Sequence, residues 1–188
     1  FLQHRRAGVA RGETGPVKAY VFPDRGDRTR LTRLMNLLLA QGIEVQQAKG
    51  ELQAAACKPL LGGEAGTVAF AAGSYVIAMA QPASTLAHVL LQPHFDMDPG
   101  FLDEQKRREQ RRRDTEFYDL TAWALPLLFG VESFVCGELP RGELQKLRAG
   151  DAGAGLGSVR EQPPTVAYVV AWGTSRAYAL AAIGPEKT

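Results

Sequence analysis

The stretch Ala72-Gly73-Ser74-Tyr75-Val76-Ile77-Ala78-Met79-Ala80-Gln81-Pro82 decides the predicted fold. From Tyr75 to Ala80 the only polar side-chain group is the tyrosine hydroxyl, and apolar residues do not alternate with polar ones. A strand with one solvated face alternates, so an unbroken apolar run between Gly and Pro indicates a strand that is buried on both faces. Such strands are typical of parallel sheets covered by helices, and we expect an interior strand of that kind here.

A polar turn and a helix are predicted directly after this strand, because residues 83–91 have helical spacing. In sheets built from such strand–helix units, ligands bind where strands end and helices begin. We therefore predict a ligand-binding site formed by Gln81, Ser84 and Thr85 beyond the central strand, together with Asp24 beyond the first strand. The pattern assigns no catalytic residue and no metal ligand.

The first strand, Val17–Phe22, begins a second unit of the same kind. Asp27 is a suitable N-cap, and Gly42 is placed to end the following helix in a left-handed conformation. One helix face is apolar, at Leu31, Leu34, Met35 and Leu38. A strand at Ile43–Gln46 then completes a predicted right-handed βαβ crossover.

These units predict a three-layer αβα sandwich with a largely parallel sheet, either flavodoxin-like or class I glutamine amidotransferase-like. Residues 1–15 are interpreted as a linker or the tail of a preceding domain, 16–148 as the α/β domain, and 149–163 as a flexible Gly-rich segment. Pro16 and Pro164 each begin a Pro-x-x-Ala-Tyr-Val pattern. Residues 164–188 are therefore predicted to be a further βα unit, in the same sheet or at the start of a next domain.

Two further strands are expected before and after the central run. Residues 67–70 are predicted to form a hairpin with it through a turn at 71–73, and Val131–Cys136 is a predicted strand after a helix that begins near Asp119. Residues 47–66 are weakly patterned, with a plain turn at Gly62 and Gly63.

Composition and charge do not indicate a nucleic-acid or membrane partner. The chain has 188 residues, is 45% hydrophobic and 22% charged, and carries a net charge of +2. This balance does not require nucleic acid or anionic lipid, and no segment has the ~18–20 apolar residues that span a bilayer. The basic residues of the run 103–114 are interleaved with acidic ones, which is typical of a solvated helix or mobile loop with ion pairs; nucleic-acid binding is the alternative.

Cysteines and histidines are the remaining candidates for chemistry. Cys57 and Cys136 can form one disulfide if the compartment is oxidising and their Cα atoms lie close together. Cys136 ends a predicted strand, so it is either a nucleophile or, as the lack of a neighbouring Gly at nucleophile-elbow spacing favours, a buried structural residue. His88, His94 and Asp96 lack compact metal-ligand spacing, and ordinary histidines are the favoured interpretation.

The order of several short motifs resembles one protein family. The motifs are Ala19-Tyr20-Val21-Phe22-Pro23, Gln41–Val45, Ala72–Ile77, Met79–Pro82 and Tyr118–Trp123 followed by Gly130-Val131. Together they cover roughly residues 15–136 and resemble the C-terminal, non-catalytic region of bacterial zinc carboxypeptidase-like proteins of the carboxypeptidase A type. That region in turn resembles class I glutamine amidotransferase-like α/β domains.

The resemblance implies an accessory domain that packs on an upstream peptidase domain of the same protein, which would be secreted or periplasmic. It implies zinc in that catalytic domain and no cofactor in this chain, because the chain has no His-x-x-Glu motif. The amidotransferase-like cysteine nucleophile also has no match here. The alternative is an independent small-molecule-binding or hydrolytic α/β domain that uses a strand-end crevice near Gln81 or Cys136.

Overall fold

The structure, a computed structural model, describes residues 2–93, 99–113 and 124–153. Its helices are α1 (Leu2–Thr14), α2 (Arg28–Ala40), α3 (Ser84–Leu91), α4 (Pro99–Gln110) and α5 (Leu125–Phe129). Its strands are β1 (Ala19–Phe22), β2 (Gln46–Ala48), β3 (Leu52–Pro59), β4 (Gly66–Phe70), β5 (Tyr75–Ala78), β6 (Phe134–Cys136) and β7 (Leu144–Lys146).

The described strands form one seven-stranded sheet in the order β4-β3-β6-β1-β5-β2-β7. Every strand pairing in it is antiparallel. The predicted three-layer αβα sandwich with a largely parallel sheet, flavodoxin-like or glutamine amidotransferase-like, is therefore wrong. The apolar run at 75–80 indicated burial on both faces, and that burial does not require parallel neighbours.

The central strand β5 is an interior strand, as predicted, because β1 and β2 pair with its two edges. Its side chains alternate between two apolar clusters. Tyr75 and Ile77 lie in a cluster on the helix side of the sheet, which we call the helix-side core, whereas Val76 lies in a second cluster, the sheet-side core. Helices α2 and α3 cover the helix-side core with the residues Leu31, Leu34, Met35, Leu38, Ala87 and Leu91.

Within the described residues, the sheet-side core is formed by strand residues, and no helix contributes a side chain to it. Arg141 bridges to Gln53 on β3, and only three residues later Leu144 pairs with Ala48 on β2. The three residues from Arg141 to Leu144 can span at most about 11 Å. In a flat sheet, β3 and β2, which are four positions apart, would be separated by about 19 Å. The sheet must therefore curl, and its concave face encloses the sheet-side core.

The unit from β1 through α2 to β2 keeps the predicted order but not the predicted pairing. Asp27 caps α2 by accepting hydrogen bonds from the backbone N–H groups of Thr29 and Arg30, and Gly42 has the predicted positive φ of 77°. Strands β1 and β2 run in the same direction, because both are antiparallel to β5, which lies between them. In the sheet, β5 therefore lies between the two strands that the predicted crossover connects, although β5 comes later in the chain.

The predicted hairpin at residues 71–73 is wrong. Strand β4 pairs with β3, while β5 lies four positions away in the sheet. The sequence did not predict β3, and a bulge explains why. Leu52 and Ala54 point inward with the period of a strand, but the register shifts between Ala54 and Cys57. Ala56 has a φ of 51° in this bulge, so Cys57 is the next inward residue and the alternation is lost.

Helix α1 packs against α3 and the end of β5, so residues 2–14 are part of this fold. Gly12 makes the close approach possible, since a Cβ there would lie 2.0 Å from the carbonyl oxygen of Met79.

The run 103–114 is helical through Gln110, with ion pairs such as Arg107–Glu104 at 3.3 Å. The predicted helix start at Asp119, most of the segment 149–163 and all of 164–188 lie outside the described residues.

Candidate functional site

Gln81 is a structural residue in this fold. Its side chain is 2% exposed, and its Oε1 accepts a hydrogen bond of 2.7 Å from the backbone N–H of Glu44. Its Nε2 donates to the carbonyl oxygens of Glu44 at 3.2 Å and Ala78 at 2.7 Å. Both ends of the amide are therefore bonded to main chain, and the side chain connects the end of β5 to the segment after α2.

Ser84 and Thr85 hold α1 in place. Ser84 is 2% exposed, and its hydroxyl donates a 2.7 Å hydrogen bond to the carbonyl oxygen of Gly8. The Thr85 hydroxyl accepts a longer bond of 3.4 Å from Arg11. Both contacts join α3 to α1, so these two predicted ligand-binding groups contribute to helix packing.

Asp24 lies at the opposite end of the sheet from Gln81. In the antiparallel register, Phe22 pairs with Tyr75 and Ala19 pairs with Ala78, so the ends of β1 and β5 point in opposite directions. Asp24 forms an ion pair of 2.8 Å with Arg28. Burial raises the pKa of the Tyr75 hydroxyl, and the Asp24 carboxylate adds to that rise. The four predicted ligand-binding residues therefore do not form one site.

The cysteines, whose bonding the sequence left open, form a disulfide. Cys57 on β3 and Cys136 on β6 are directly opposite each other in neighbouring strands, with a Cα–Cα distance of 4.0 Å. Both residues are buried in the sheet-side core. A thiolate is the nucleophilic form of cysteine, so Cys136 cannot act as a nucleophile while this bond is intact.

A cavity of about 460 Å³ lies at the sheet end where β1 begins and both β5 and β6 end. Ala19 is the register partner of both Ala78 and Cys136, which brings those two strand ends to the same edge. We call this space the strand-end cavity. Its lining residues are Gly12, Glu13, Lys18, Ala80, Gly137, Glu138, Leu139 and Arg141. The alternative prediction was a strand-end crevice near Gln81 or Cys136; this cavity lies beyond the ends of both strands, although neither of those side chains lines it.

A second cavity of about 200 Å³ also has Gly12 in its lining, together with Arg11 and His88 among other residues. Burial lowers the pKa of His88, and the positive charge of Arg11 lowers it further. His88 is therefore neutral at pH 7. His94 and Asp96, the other candidates for a metal site, lie outside the described residues.

Within residues 2–93, 99–113 and 124–153, no group of three or more His, Cys, Asp or Glu side chains is arranged to hold a metal ion. No helix in the same ranges has the length and apolar composition needed to cross a bilayer.

Sequence reasoning missed the charged residues of the strand-end cavity. Glu13 lies at the end of α1, Lys18 precedes β1, and Glu138 and Arg141 lie between β6 and β7. No motif or spacing links these positions, which are up to 128 residues apart. The sequence does show one charged residue, Lys18, directly before the buried residues of β1. In the predicted parallel sheet, however, the start of β1 would lie at the opposite end from the end of β5, so Lys18 was not assigned to a site there.

Comparison with known proteins adds no assignment: a scan against protein-family models, a search of curated proteins and a search of solved structures each found no match for this chain.

Proposed function

We propose that this chain is an accessory, non-catalytic domain of a zinc carboxypeptidase-like protein, whose metal and peptidase chemistry reside in a separate catalytic domain. The proposed family rests on the order of the motifs between residues 15 and 136, and the bonding of Gln81 is the structural observation that favours a non-catalytic role. Both ends of its amide bind main chain, so the most prominent predicted ligand-binding group stabilises the fold. Ser84 and Cys136 are committed in the same way, to α1 and to the disulfide.

The proposed partner is the upstream peptidase domain, and α1 is the element that would contact it. Gly8 and Gly12 on one face of α1 pack against this domain. Other residues of the helix are exposed, including Leu2 at 70%. A helix bound on one side and exposed on the other is suited to join two domains.

The disulfide supports a secreted or periplasmic location. Disulfides form and persist in oxidising compartments and are rare in the cytosol. The Cys57–Cys136 bond connects residues 79 positions apart and lies in the sheet-side core, which is typical of a structural disulfide rather than a transient catalytic one.

The test is metal analysis and a peptidase assay on the purified chain. After dialysis against zinc and then against buffer, we expect no stoichiometric zinc and no release of C-terminal amino acids from peptide substrates. A His94→Ala variant is the matched control for adventitious binding. One retained zinc equivalent that is lost in this variant would overturn the proposal, because it would place a metal site in this chain.

A second candidate function is small-molecule binding, and the strand-end cavity favours it. Its volume of about 460 Å³ falls in the ~300–1,000 Å³ range of ligand sites. The described residues that line the cavity include no serine, threonine or cysteine, so they offer no hydroxyl or thiol nucleophile for hydrolysis.

A further inference from the structure

The strand-end cavity combines two cationic and two acidic side chains with small and apolar residues. The cations are Lys18 and Arg141, and the carboxylates are Glu13 and Glu138. The rest of the lining consists of Gly12, Ala80, Gly137 and Leu139. Leu139 is 54% exposed, so its side chain gives the cavity an apolar surface that a ligand can contact.

These charges do not neutralise one another. Within the described residues, no ion pair includes Glu13, Glu138 or Arg141, and the Lys18 ammonium donates to the backbone carbonyl of Glu13 rather than to a carboxylate. Other exposed charges of the domain are paired, as in Lys146–Glu44 at 2.9 Å and Lys49–Glu143 at 3.1 Å. The cavity therefore offers both signs of charge for contact with a ligand.

We propose that the strand-end cavity binds a zwitterionic ligand of amino-acid chemistry, about the size of a dipeptide. Its carboxylate binds Lys18 and Arg141, and its ammonium group binds Glu13 and Glu138. Its apolar body packs against Leu139. This inference rests on the second candidate function and adds the class of ligand to it.

Other ligand classes fit the same lining less well. A simple anion such as phosphate would lie near Glu13 and Glu138, and a metal cation would lie near Lys18 and Arg141. An uncharged apolar ligand would remove water from four charged groups without replacing their hydrogen bonds, which is costly. Only a ligand with both charges satisfies both pairs of side chains.

The test uses three probes with one apolar body: alanyl-leucine, its N-acetyl derivative and its C-terminal amide. Binding to the full chain is measured by calorimetry and by NMR shifts of the Gly137 and Leu139 amides. Because an exposed ion pair contributes up to ~1 kcal/mol, we expect each blocked probe to bind about fivefold more weakly than the free dipeptide. Added salt should reduce this difference.

Variants assign each end of the ligand. Arg141→Gln should weaken the free dipeptide but not its amide, and Glu138→Gln should weaken the free dipeptide but not its N-acetyl derivative. Arg33→Gln and Glu64→Gln are matched controls, because both residues are exposed and lie outside the cavity. Circular dichroism verifies that every variant is folded.

The outcomes separate the inference from the function on which it rests. Equal binding of all three probes with shifts at Gly137 and Leu139 would overturn the charge recognition and leave the cavity as a ligand site. An absence of binding by all three probes at millimolar concentration would overturn both. Weakening by Arg33→Gln equal to that by Arg141→Gln would also overturn the inference, since it would indicate nonspecific attraction.

Discussion

The side-chain amide of Gln81 binds both main-chain polar groups of Glu44: Oε1 accepts from the N–H at 2.7 Å, and Nε2 donates to the carbonyl oxygen at 3.2 Å. These two bonds have the pattern of a hydrogen-bonded residue pair in neighbouring antiparallel strands, with the side-chain amide of Gln81 in place of a main-chain amide. It connects the end of β5 to the segment that leaves α2, two parts of the chain that are 37 residues apart. The side chain thereby satisfies the main-chain hydrogen-bonding groups of Glu44, which precedes β2 and has no strand partner within the described residues.

A Gln81→Leu variant tests this role. Leucine has a similar volume but leaves the main-chain groups of Glu44 and Ala78 without their partner, so we expect a loss of about 1–3 kcal/mol in the free energy of unfolding. Urea denaturation measures it. Gln145→Leu is the control, because Gln145 is exposed on β7 and forms no side-chain hydrogen bond within the described residues. Equal midpoints for the two variants would contradict the structural role.

A Gly12→Ala variant should detach or strain α1. In an isolated helix this change is favourable by about 1 kcal/mol, but here the new Cβ would lie 2.0 Å from the Met79 carbonyl oxygen. Overpacking of this kind costs about 1–3 kcal/mol, so the melting temperature should fall and trypsin should cut at Arg11 sooner. Gly50→Ala is the control, since its Cβ would meet no atom within 4 Å. A melting temperature at or above that of the parent would contradict the packing of α1.

An Ile77→Asp variant should unfold the domain. Ile77 is fully buried in the helix-side core, and burial of an unpaired carboxylate costs about 4 kcal/mol or more against a total stability of ~5–15 kcal/mol. Ile77→Val, which removes one methylene and costs only about 1 kcal/mol, serves as the control. Thermal melting checks both, and an Asp variant that melts within a few degrees of the parent would exclude an interior position.

Removal of the disulfide should destabilise the fold strongly. The bond closes a loop with a sequence separation of 79 residues, and loss of such a cross-link costs about 2–5 kcal/mol. A Cys57→Ala, Cys136→Ala double variant should therefore unfold at lower denaturant concentration than the parent. Reducing agent should lower the midpoint of the parent and leave the double variant unchanged. A parent midpoint that does not respond to complete thiol reduction would show that the bond contributes little.

His88 should make the domain less stable in acid. Its pKa is lowered in the folded state by burial and then by Arg11, whereas in the unfolded chain it is about 6.5. Below about pH 6.5 the unfolded state therefore binds more protons, so this contribution to stability is present above that pH and is lost as the pH falls through the folded-state pKa. His88→Gln should reduce the loss of stability between pH 7 and 5. Denaturation curves across that range measure it, and identical slopes for parent and variant would contradict the prediction.

The sequence by itself determined the local structure of α2 and the burial of β5. The apolar face of α2, its cap at Asp27 and the left-handed Gly42 after it were predictable, and the structure confirms them. Two-sided burial of Tyr75 and its neighbours was also predictable from the absence of polar residues. These features depend on side chains within about one helical turn or a few strand residues, so a short window contains the information.

Only the tertiary structure decided strand order, strand direction and the site. The insertion of β5 between β1 and β2 reverses which strand ends meet, and this separated Asp24 from Gln81 while it brought Ala80 and Gly137 to one cavity. The pairing of Cys57 with Cys136 and the assembly of Glu13, Lys18, Glu138 and Arg141 follow from the same topology. An apolar strand is equally well buried by parallel or antiparallel neighbours. Its residue types therefore do not indicate which strands lie beside it or in which direction they run. That choice depends on the packing of the whole sheet.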